Sequence, residues 1–239
     1  VFDNDLEGAK QALAALRKEF GDAREVLDVE GWFALGTGDY ATAAARYGEL
    51  FEGRPSSGLL VLYARALWGQ QKYDEAISRM ESWLKDRRGD VAVEMQLADS
   101  YLARERSADA RAIYKQVIEI QPDNVVALNN LAWLGRDDDH AQSVRYAEKA
   151  LNLAPRSPSV LDTLGMLLLK SSDKSRGQDL IAQAADLAPD DLNVQVHYAQ
   201  VLAERGSVDE AKKLLESVIS KAGDTPPGAA ARAALSTLK

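Results

Sequence analysis

Small residues recur along this chain at intervals of 33 or 34 residues, and this period is its most constraining feature. Each follows a large apolar residue, except in the first case. The series comprises Gly31, Ala64, Ala98, Ala132, Gly165 and Ala199. A second series, usually alanine, lies 11 or 12 residues further on and comprises Ala43, Ala76, Ala110, Ser143, Gly177 and Ala211. Such a period predicts one small helical or strand unit that is repeated and stacked.

The segments between these landmarks have the pattern of amphipathic helices. Large apolar residues recur three, four and seven positions apart, which gives one buried stripe per helix. A short polar turn separates the two helices of each unit, and prolines such as Pro122, Pro155 and Pro189 end several units. No sustained alternation of apolar and polar residues predicts a strand. The sequence therefore predicts an all-α fold of antiparallel helical hairpins.

The unit resembles the tetratricopeptide repeat. That family has a large and a small residue at its seventh and eighth positions, alanine at the twentieth and proline at the thirty-second. Residues 128–133 (LNNLAW) and 73–76 (YDEA) match its common wording, whereas Ser143 and Gly177 depart from the alanine. The resemblance implies a right-handed α-solenoid of stacked antiparallel hairpins, a superhelix. The predicted repeats are 24–56, 57–90, 91–124, 125–157, 158–191 and 192–225, flanked by 1–23 (the second helix of a preceding repeat) and 226–239 (a C-terminal capping helix).

The resemblance also implies a binding surface. Members of the family bind a peptide or an extended partner segment in a concave groove that is built mainly from the first helix of each repeat. At the family's wall positions, the candidate groove residues are Trp32, Arg65, Gln96, Asp99, Asn129, Asn130, Trp133, Asp162, Met166, Asn193 and His197. The alternative is structural. Trp32, Trp68, Trp133 and Met166 then fill gaps between neighbouring first helices, and at least one of Asn129 and Asn130 has a structural role that is common in the family.

Charge and hydropathy narrow the class of partner. The formal net charge of −8 disfavours nucleic acid. No apolar run approaches the roughly 18 residues that a membrane-spanning helix needs, so we expect no direct membrane insertion. Arg65 is the only cation at an inner position of the predicted groove, and three carboxylates, Asp28, Asp99 and Asp162, counter its charge. We therefore do not expect the ligand to be a strongly acidic peptide. Self-association through uncapped solenoid ends is a further prediction.

Catalytic and metal-binding patterns are missing from the sequence. The chain has no cysteine and only two histidines, which fall in different predicted repeats. The acidic run that ends at His140 lacks the spaced oxygen ligands of a calcium loop. There is no glycine-rich phosphate loop and no nucleophile elbow. We therefore predict a protein that is not an enzyme and that has no cofactor and no metal site.

The function predicted from these observations is a non-enzymatic scaffold for protein–protein interaction. Residues 128–134, 146–151 and 160–165 resemble bacterial envelope members of the family, the lipoproteins associated with exopolysaccharide production and protein sorting. That likeness implies a periplasmic or outer-membrane-associated role in envelope or exopolysaccharide assembly. The alternative is the substrate-docking or regulatory arm of a larger enzyme whose catalytic domain lies outside this segment.

Overall fold

The computed structural model describes residues 6–238, and within them every regular element is an α-helix. The chain divides into two compact units, Val1–Ile120 and Gln121–Lys239. Unit 1 contains α1 (Leu6–Phe20), α2 (Arg24–Thr37), α3 (Tyr40–Gly53), α4 (Ser57–Gly69), α5 (Tyr73–Asp86), α6 (Val91–Ala103) and α7 (Ser107–Ile120). Unit 2 contains α8 (Val125–Gly135), α9 (His140–Leu153), α10 (Pro158–Leu168), α11 (Lys174–Leu187), α12 (Leu192–Glu204), α13 (Val208–Ala222) and α14 (Pro226–Thr237).

The all-α repeat fold predicted from the sequence is confirmed. In unit 1 the hairpins are α2–α3, α4–α5 and α6–α7, and in unit 2 they are α8–α9, α10–α11 and α12–α13. Their first helices begin at Arg24, Ser57, Val91, Val125, Pro158 and Leu192, which are the residues where the predicted repeats start. Residues 1–5 and 239, at the outer ends of the predicted flanking segments, lie outside the described part.

Local side-chain chemistry explains where several helices begin. Asp39, Ser56, Asp90, Asn124 and Asp139 each precede a helix, and each side chain accepts a hydrogen bond from a backbone N–H of the first turn. Such caps satisfy donors that have no partner inside the helix. The short loops between these capped helices hold the paired helices antiparallel.

Small residues allow the helices of each hairpin to approach closely. Ala43, Ala76, Ala110 and Ala211 are fully buried, as their place in the repeat predicted. In unit 2, a Cβ on Gly177 would lie 2.8 Å from the carbonyl oxygen of Gly165, so α10 and α11 touch through their backbones. Large apolar side chains complete the core of each unit, Tyr47, Leu60, Met80 and Tyr114 in unit 1 and Leu128, Leu161, Leu164, Ile181 and Leu215 in unit 2.

Stacking brings first helices together within each unit. In unit 1 α4 contacts α6, and in unit 2 α8 contacts α10, which contacts α12. Side chains from these helices therefore form one surface per unit, which we call the first-helix wall. In unit 2 α14 packs against α12 and α13, where Ala231 is fully buried.

Candidate functional sites on the first-helix walls

An open cavity of about 360 Å³ lies on the wall of unit 1. We call it the unit 1 cavity. Its lining comes from α2, α3, α4 and α6 and consists of Leu35, Tyr40, Arg65, Trp68, Gly69, Gln96, Asp99, Ser100 and Ala103. Three predicted groove residues, Arg65, Gln96 and Asp99, are thus brought to one place. Arg65 and Asp99 hold the same position in consecutive repeats, so stacking α4 beside α6 is what joins them.

The aromatic side of this cavity depends on a glycine. A Cβ on Gly69 would overlap Cγ of Tyr40, so only glycine leaves room for the tyrosine ring over the end of α4. The Nε2 of Gln70 donates to the carbonyl oxygen of Tyr40 over 2.8 Å and fixes its backbone. Beside it, the Trp68 ring packs on Tyr73 with 4.6 Å between ring centroids. The cavity therefore has a fixed aromatic edge.

The charged groups of the cavity, Arg65 and Asp99, are exposed and of opposite sign. The Tyr114 hydroxyl donates to Oδ1 of Asp99 over 2.7 Å. This hydrogen bond orients the carboxylate of Asp99, although Asp99 itself stays exposed. Arg65 is also exposed and forms no ion pair with any residue between 6 and 238. With the amide of Gln96, the site offers a cation, a carboxylate and a neutral group that donates and accepts.

On the wall of unit 2, Trp133, Asp162 and His197 come together from three successive first helices. We call these three residues the unit 2 cluster. Nδ1 of His197 lies 2.9 Å from both carboxylate oxygens of Asp162, whose exposure is 8%. The rings of Trp133 and His197 lie 6.4 Å apart at their centroids. A buried carboxylate needs a donor, and the Nδ1–H of His197 supplies it to Asp162.

A small cavity of about 60 Å³ adjoins this cluster and is lined by Trp133, Arg136, Met166, Leu167 and Lys170. The Arg136 guanidinium lies 4.3 Å from the centroid of the Trp133 ring and donates to the Trp133 carbonyl oxygen. The ammonium of Lys170 lies 3.1 Å from Oδ1 of Asp137. That hydrogen bond and charge hold the pKa of Asp137 below its ordinary value. Both cations at this cavity are therefore already engaged.

Four predicted groove residues stand outside both cavities and the unit 2 cluster. Trp32 is 55% exposed on α2, and Asn193 is exposed on α12. Asn129 and Asn130 are half-buried on α8. Oδ1 of Asn129 is buried and accepts no hydrogen bond from the described residues.

Several side chains at these sites, including those of Tyr40, Arg136 and Lys170, were not among the predicted groove residues. Arg136 and Lys170 occupy the twelfth and thirteenth positions of their repeats, which the family pattern assigns to the wall, so a fuller use of that pattern would have found them. Tyr40 belongs to a second helix. Only the packing of its ring over Gly69 brings it to the wall, and no first-helix pattern carries that information.

The described helices carry neither a cluster of metal ligands nor a membrane-spanning segment. Among residues 6–238, no three His, Asp or Glu side chains are grouped so that they could hold a metal ion. In the acidic run before α9, Asp139 caps the helix and Asp137 pairs with Lys170. None of the described helices is long and apolar enough to cross a bilayer.

Comparison with known families gives tetratricopeptide repeat matches along most of the chain. One family model described as tetratricopeptide repeat matches residues 34–99 and 168–235, and a second with the same description matches residues 95–158. A search of curated proteins gives no matching sequence.

Solved structures with the same fold include several tetratricopeptide repeat proteins. One from Parabacteroides merdae is 16% identical, with a TM-score of 0.71 over 91% of this chain and 87% of its own. A thermophilic TPR protein from Thermus thermophilus is 19% identical, with a TM-score of 0.57 over 76% of this chain and 100% of its own. A chain of the APC/C hetero-tetramer Cut9–Hcn1 is 14% identical, with a TM-score of 0.75 over 98% of this chain and 46% of its own.

Proposed function

Because the chain belongs to the tetratricopeptide repeat family, whose fold is in general a non-catalytic scaffold for protein–protein interaction, we propose that its first-helix walls bind a peptide or an extended partner segment. The observation that carries this proposal is the unit 1 cavity, where Arg65, Gln96 and Asp99 converge. Isolated surface charges are ordinary, but a concave site with a few convergent polar groups is what binding sites share.

In unit 1 the chemistry suits a segment with mixed polarity. Arg65 can bind a carboxylate or a backbone carbonyl, and Asp99 can accept an ammonium or a backbone N–H. Gln96 can bond a backbone on both its donor and its acceptor side. The edge formed by Tyr40 and Trp68 offers rigid contact area to an apolar side chain. Because the cavity presents both signs of charge, we do not propose a strongly acidic ligand.

In unit 2 the wall offers an acceptor and apolar surface. Oδ1 of Asn129 is buried and accepts no hydrogen bond from described residues, so it can receive a backbone N–H of a bound segment. Trp133 and Met166 both line the small cavity of about 60 Å³ and can hold an apolar side chain there. The net charge of −8 favours polypeptides over nucleic acid as partners.

A comparison of three variants in a pull-down from the source organism's lysate tests this proposal. The first changes Arg65 and Gln96 to Ala, the second changes Asn129 and Trp133 to Ala, and the control changes Glu75 and Arg79, an exposed ion pair on α5, to Ala. We expect the parent and the control to retain the same protein and at least one wall variant to lose it. Equal retention by all four would overturn the proposal. If the bait retains only further copies of this same protein, the result would indicate self-association instead.

The likeness of residues 128–134, 146–151 and 160–165 to bacterial envelope members supports a finer proposal, a role in envelope or exopolysaccharide assembly at the periplasm or outer membrane. Fractionation of the source organism tests this part separately. We expect the protein in the envelope fractions, and recovery with the cytosolic fraction alone would contradict it while leaving the binding wall untouched.

A further inference from the structure

A second cavity in unit 1 lies apart from the first-helix wall. It measures about 590 Å³, and its lining comes from α5, α6, α7 and the loop between α5 and α6. Its α6 residues include Glu94 and Leu97, whereas the unit 1 cavity takes Gln96 and Asp99 from the same helix. At 3.6 residues per turn these two pairs point to opposite sides of α6. We call this space the Glu94 cavity.

Glu94 stands where the repeat normally places an apolar residue. It is the fourth residue of its predicted repeat, and its exposure is 3%. Four of the other repeats have a buried leucine there, namely Leu27, Leu60, Leu128 and Leu161. Glutamate is almost never fully buried unless it is paired, so its presence at this position requires a partner group.

The protein supplies only half of that partnership. Oε1 of Glu94 accepts the backbone N–H of Gly89 over 3.0 Å, but Oε2 is buried and accepts no hydrogen bond from any described residue. In the sixth repeat the equivalent residue, Gln195, donates to the carbonyl oxygens of Ala185 and Ala188. A buried acceptor without a donor is costly, so the free oxygen of Glu94 favours an incoming donor.

The other carboxylates at this cavity are differently placed. Glu81 accepts the hydroxyl hydrogen of Tyr101 over 2.6 Å. Burial, together with the hydrogen bond to Glu81, raises the pKa of Tyr101 to about 12, so this phenol stays a donor at neutral pH. Glu119 is exposed, as are the cations Lys85 and Arg88. The remaining lining is mostly apolar and includes Leu84, Leu97, Ile113 and Ile120.

From this arrangement we propose that the Glu94 cavity binds a lysine side chain of a partner polypeptide. An apolar cavity that contains a buried carboxylate matches a long aliphatic stem with a cationic end. Because Oε1 already accepts the Gly89 N–H, a guanidinium that bonded both oxygens would have to share Oε1 with that amide. That disfavours the two-pronged guanidinium of arginine and suits the compact ammonium of lysine. Three carboxylates against two cations leave the lining with a net negative charge, which complements the ligand.

Nuclear magnetic resonance offers a direct test, since the Gly89 amide is bonded to the same carboxylate that would bind the ammonium. The probes are N-acetyl-lysine methylamide, its arginine counterpart, and N-acetyl-norleucine methylamide, which keeps the apolar stem without the charge. We expect the lysine probe to shift the Gly89 amide resonance saturably, with a dissociation constant on the order of millimolar. The arginine and norleucine probes should bind about tenfold more weakly or not at all.

Two variants guard the result against a folding artefact. Glu94→Leu installs the residue found in four other repeats and should fold at least as stably as the parent, and Glu94→Gln keeps the shape but removes the charge. Both should weaken binding of the lysine probe by about tenfold or more. The proposal is overturned if the lysine probe causes no saturable shift in the parent. It is also overturned if the norleucine or arginine probe binds as tightly as the lysine probe, or if either variant binds the lysine probe with the affinity of the parent.

Discussion

Unit 1 and unit 2 each carry an aspartate at the same position of a first helix, but the two carboxylates have different surroundings. Asp28 on α2 is exposed, whereas Asp162 on α10 is 8% exposed and bonded to His197. At the sixth position of the following repeat unit 1 has Leu62, which offers no donor, and unit 2 has His197. The repeat pattern fixes the position of the aspartate. The residue that faces it from the next repeat determines whether its carboxylate bonds to water or to protein.

The same contrast extends to the cavities. In unit 1, Arg65 and Asp99 remain exposed beside an open cavity of about 360 Å³. In unit 2, the cavity beside Trp133 is only about 60 Å³ and its cations Arg136 and Lys170 already contact Trp133 and Asp137, while a larger one of about 610 Å³, between α12, α13 and α14, has no cation in its lining. We therefore expect charge contacts with a partner to concentrate in unit 1, and apolar and hydrogen-bond contacts to dominate in unit 2.

Removal of His197 should have the largest effect on stability. His197→Ala leaves the buried carboxylate of Asp162 without a donor, and we expect a loss of about 3 kcal/mol in the free energy of unfolding. Asp28→Ala, which removes the exposed aspartate that holds the position of Asp162 in unit 1, should cost no more than about 0.5 kcal/mol. Urea unfolding of both variants measures this difference. Equal losses would show that Asp162 does not depend on His197.

The backbone contact between α10 and α11 gives the next largest effect. Gly177→Ala restores the alanine typical of the family, yet its Cβ would lie 2.8 Å from the Gly165 carbonyl oxygen. We expect a loss of about 2 kcal/mol. Ser143→Ala, the same restoration in the preceding repeat, should change stability by less than about 1 kcal/mol because alanine is smaller than serine. If thermal unfolding shows Gly177→Ala to be neutral or stabilising, this close approach is not a constraint.

These residues also show how far the sequence predicts the fold. The repeat period was predictable from the small residues at positions 31, 64, 98, 132, 165 and 199, because close helix packing demands small side chains there. The helices of the structure recur with the same period. The role of Gly177 was not predictable, because glycine in place of alanine reads as a neutral departure until the backbone of Gly165 is placed opposite it. A repeat pattern carries mean spacing, whereas individual helix approaches depend on three-dimensional contacts.

The candidate sites were predictable to a lesser degree. The wall pattern named Arg65, Gln96 and Asp99, which one cavity joins. It also named Asp162 and His197, but their mutual bond depends on the stacking of α10 and α12 and could not be read from either helix alone. Glu94 falls outside the wall positions, and only its burial and its unpaired oxygen draw attention to it.

A smaller effect is expected at the edge of the unit 1 cavity. Gly69→Ala adds a Cβ that overlaps the Tyr40 ring, which should cost about 1 kcal/mol because the displaced ring can turn toward the open cavity. Gly58→Ala on the same helix meets nothing within 4 Å and should be neutral or stabilising by about 0.5 kcal/mol. Thermal unfolding distinguishes the two, and similar values for both would show that Tyr40 is not held by Gly69.

The smallest expected change is a titration in unit 2. Lys170 lowers the pKa of Asp137, so Lys170→Met should move that pKa upward, toward its ordinary value near 4. The pKa of Asp137 is lower in the folded state than in the unfolded state. The ion pair therefore adds to folding stability when the pH is above the ordinary pKa, and this stability is lost as the pH falls through the lowered pKa. Carboxyl-carbon resonances followed from pH 7 to pH 2 measure the shift. An unchanged midpoint would mean that Lys170 does not engage Asp137 in solution.

The central claim, that the first-helix walls bind the partner, is tested most directly with a peptide selected on the parent chain from a random library. Its dissociation constant is measured by fluorescence anisotropy for the parent, for Arg65→Ala with Gln96→Ala, for Trp133→Ala with Met166→Ala, and for the outer-face control Glu75→Ala with Arg79→Ala. The account predicts a loss of affinity of about tenfold or more in at least one wall variant and less than about twofold in the control. Unchanged affinity in both wall variants, whatever the control shows, would contradict it.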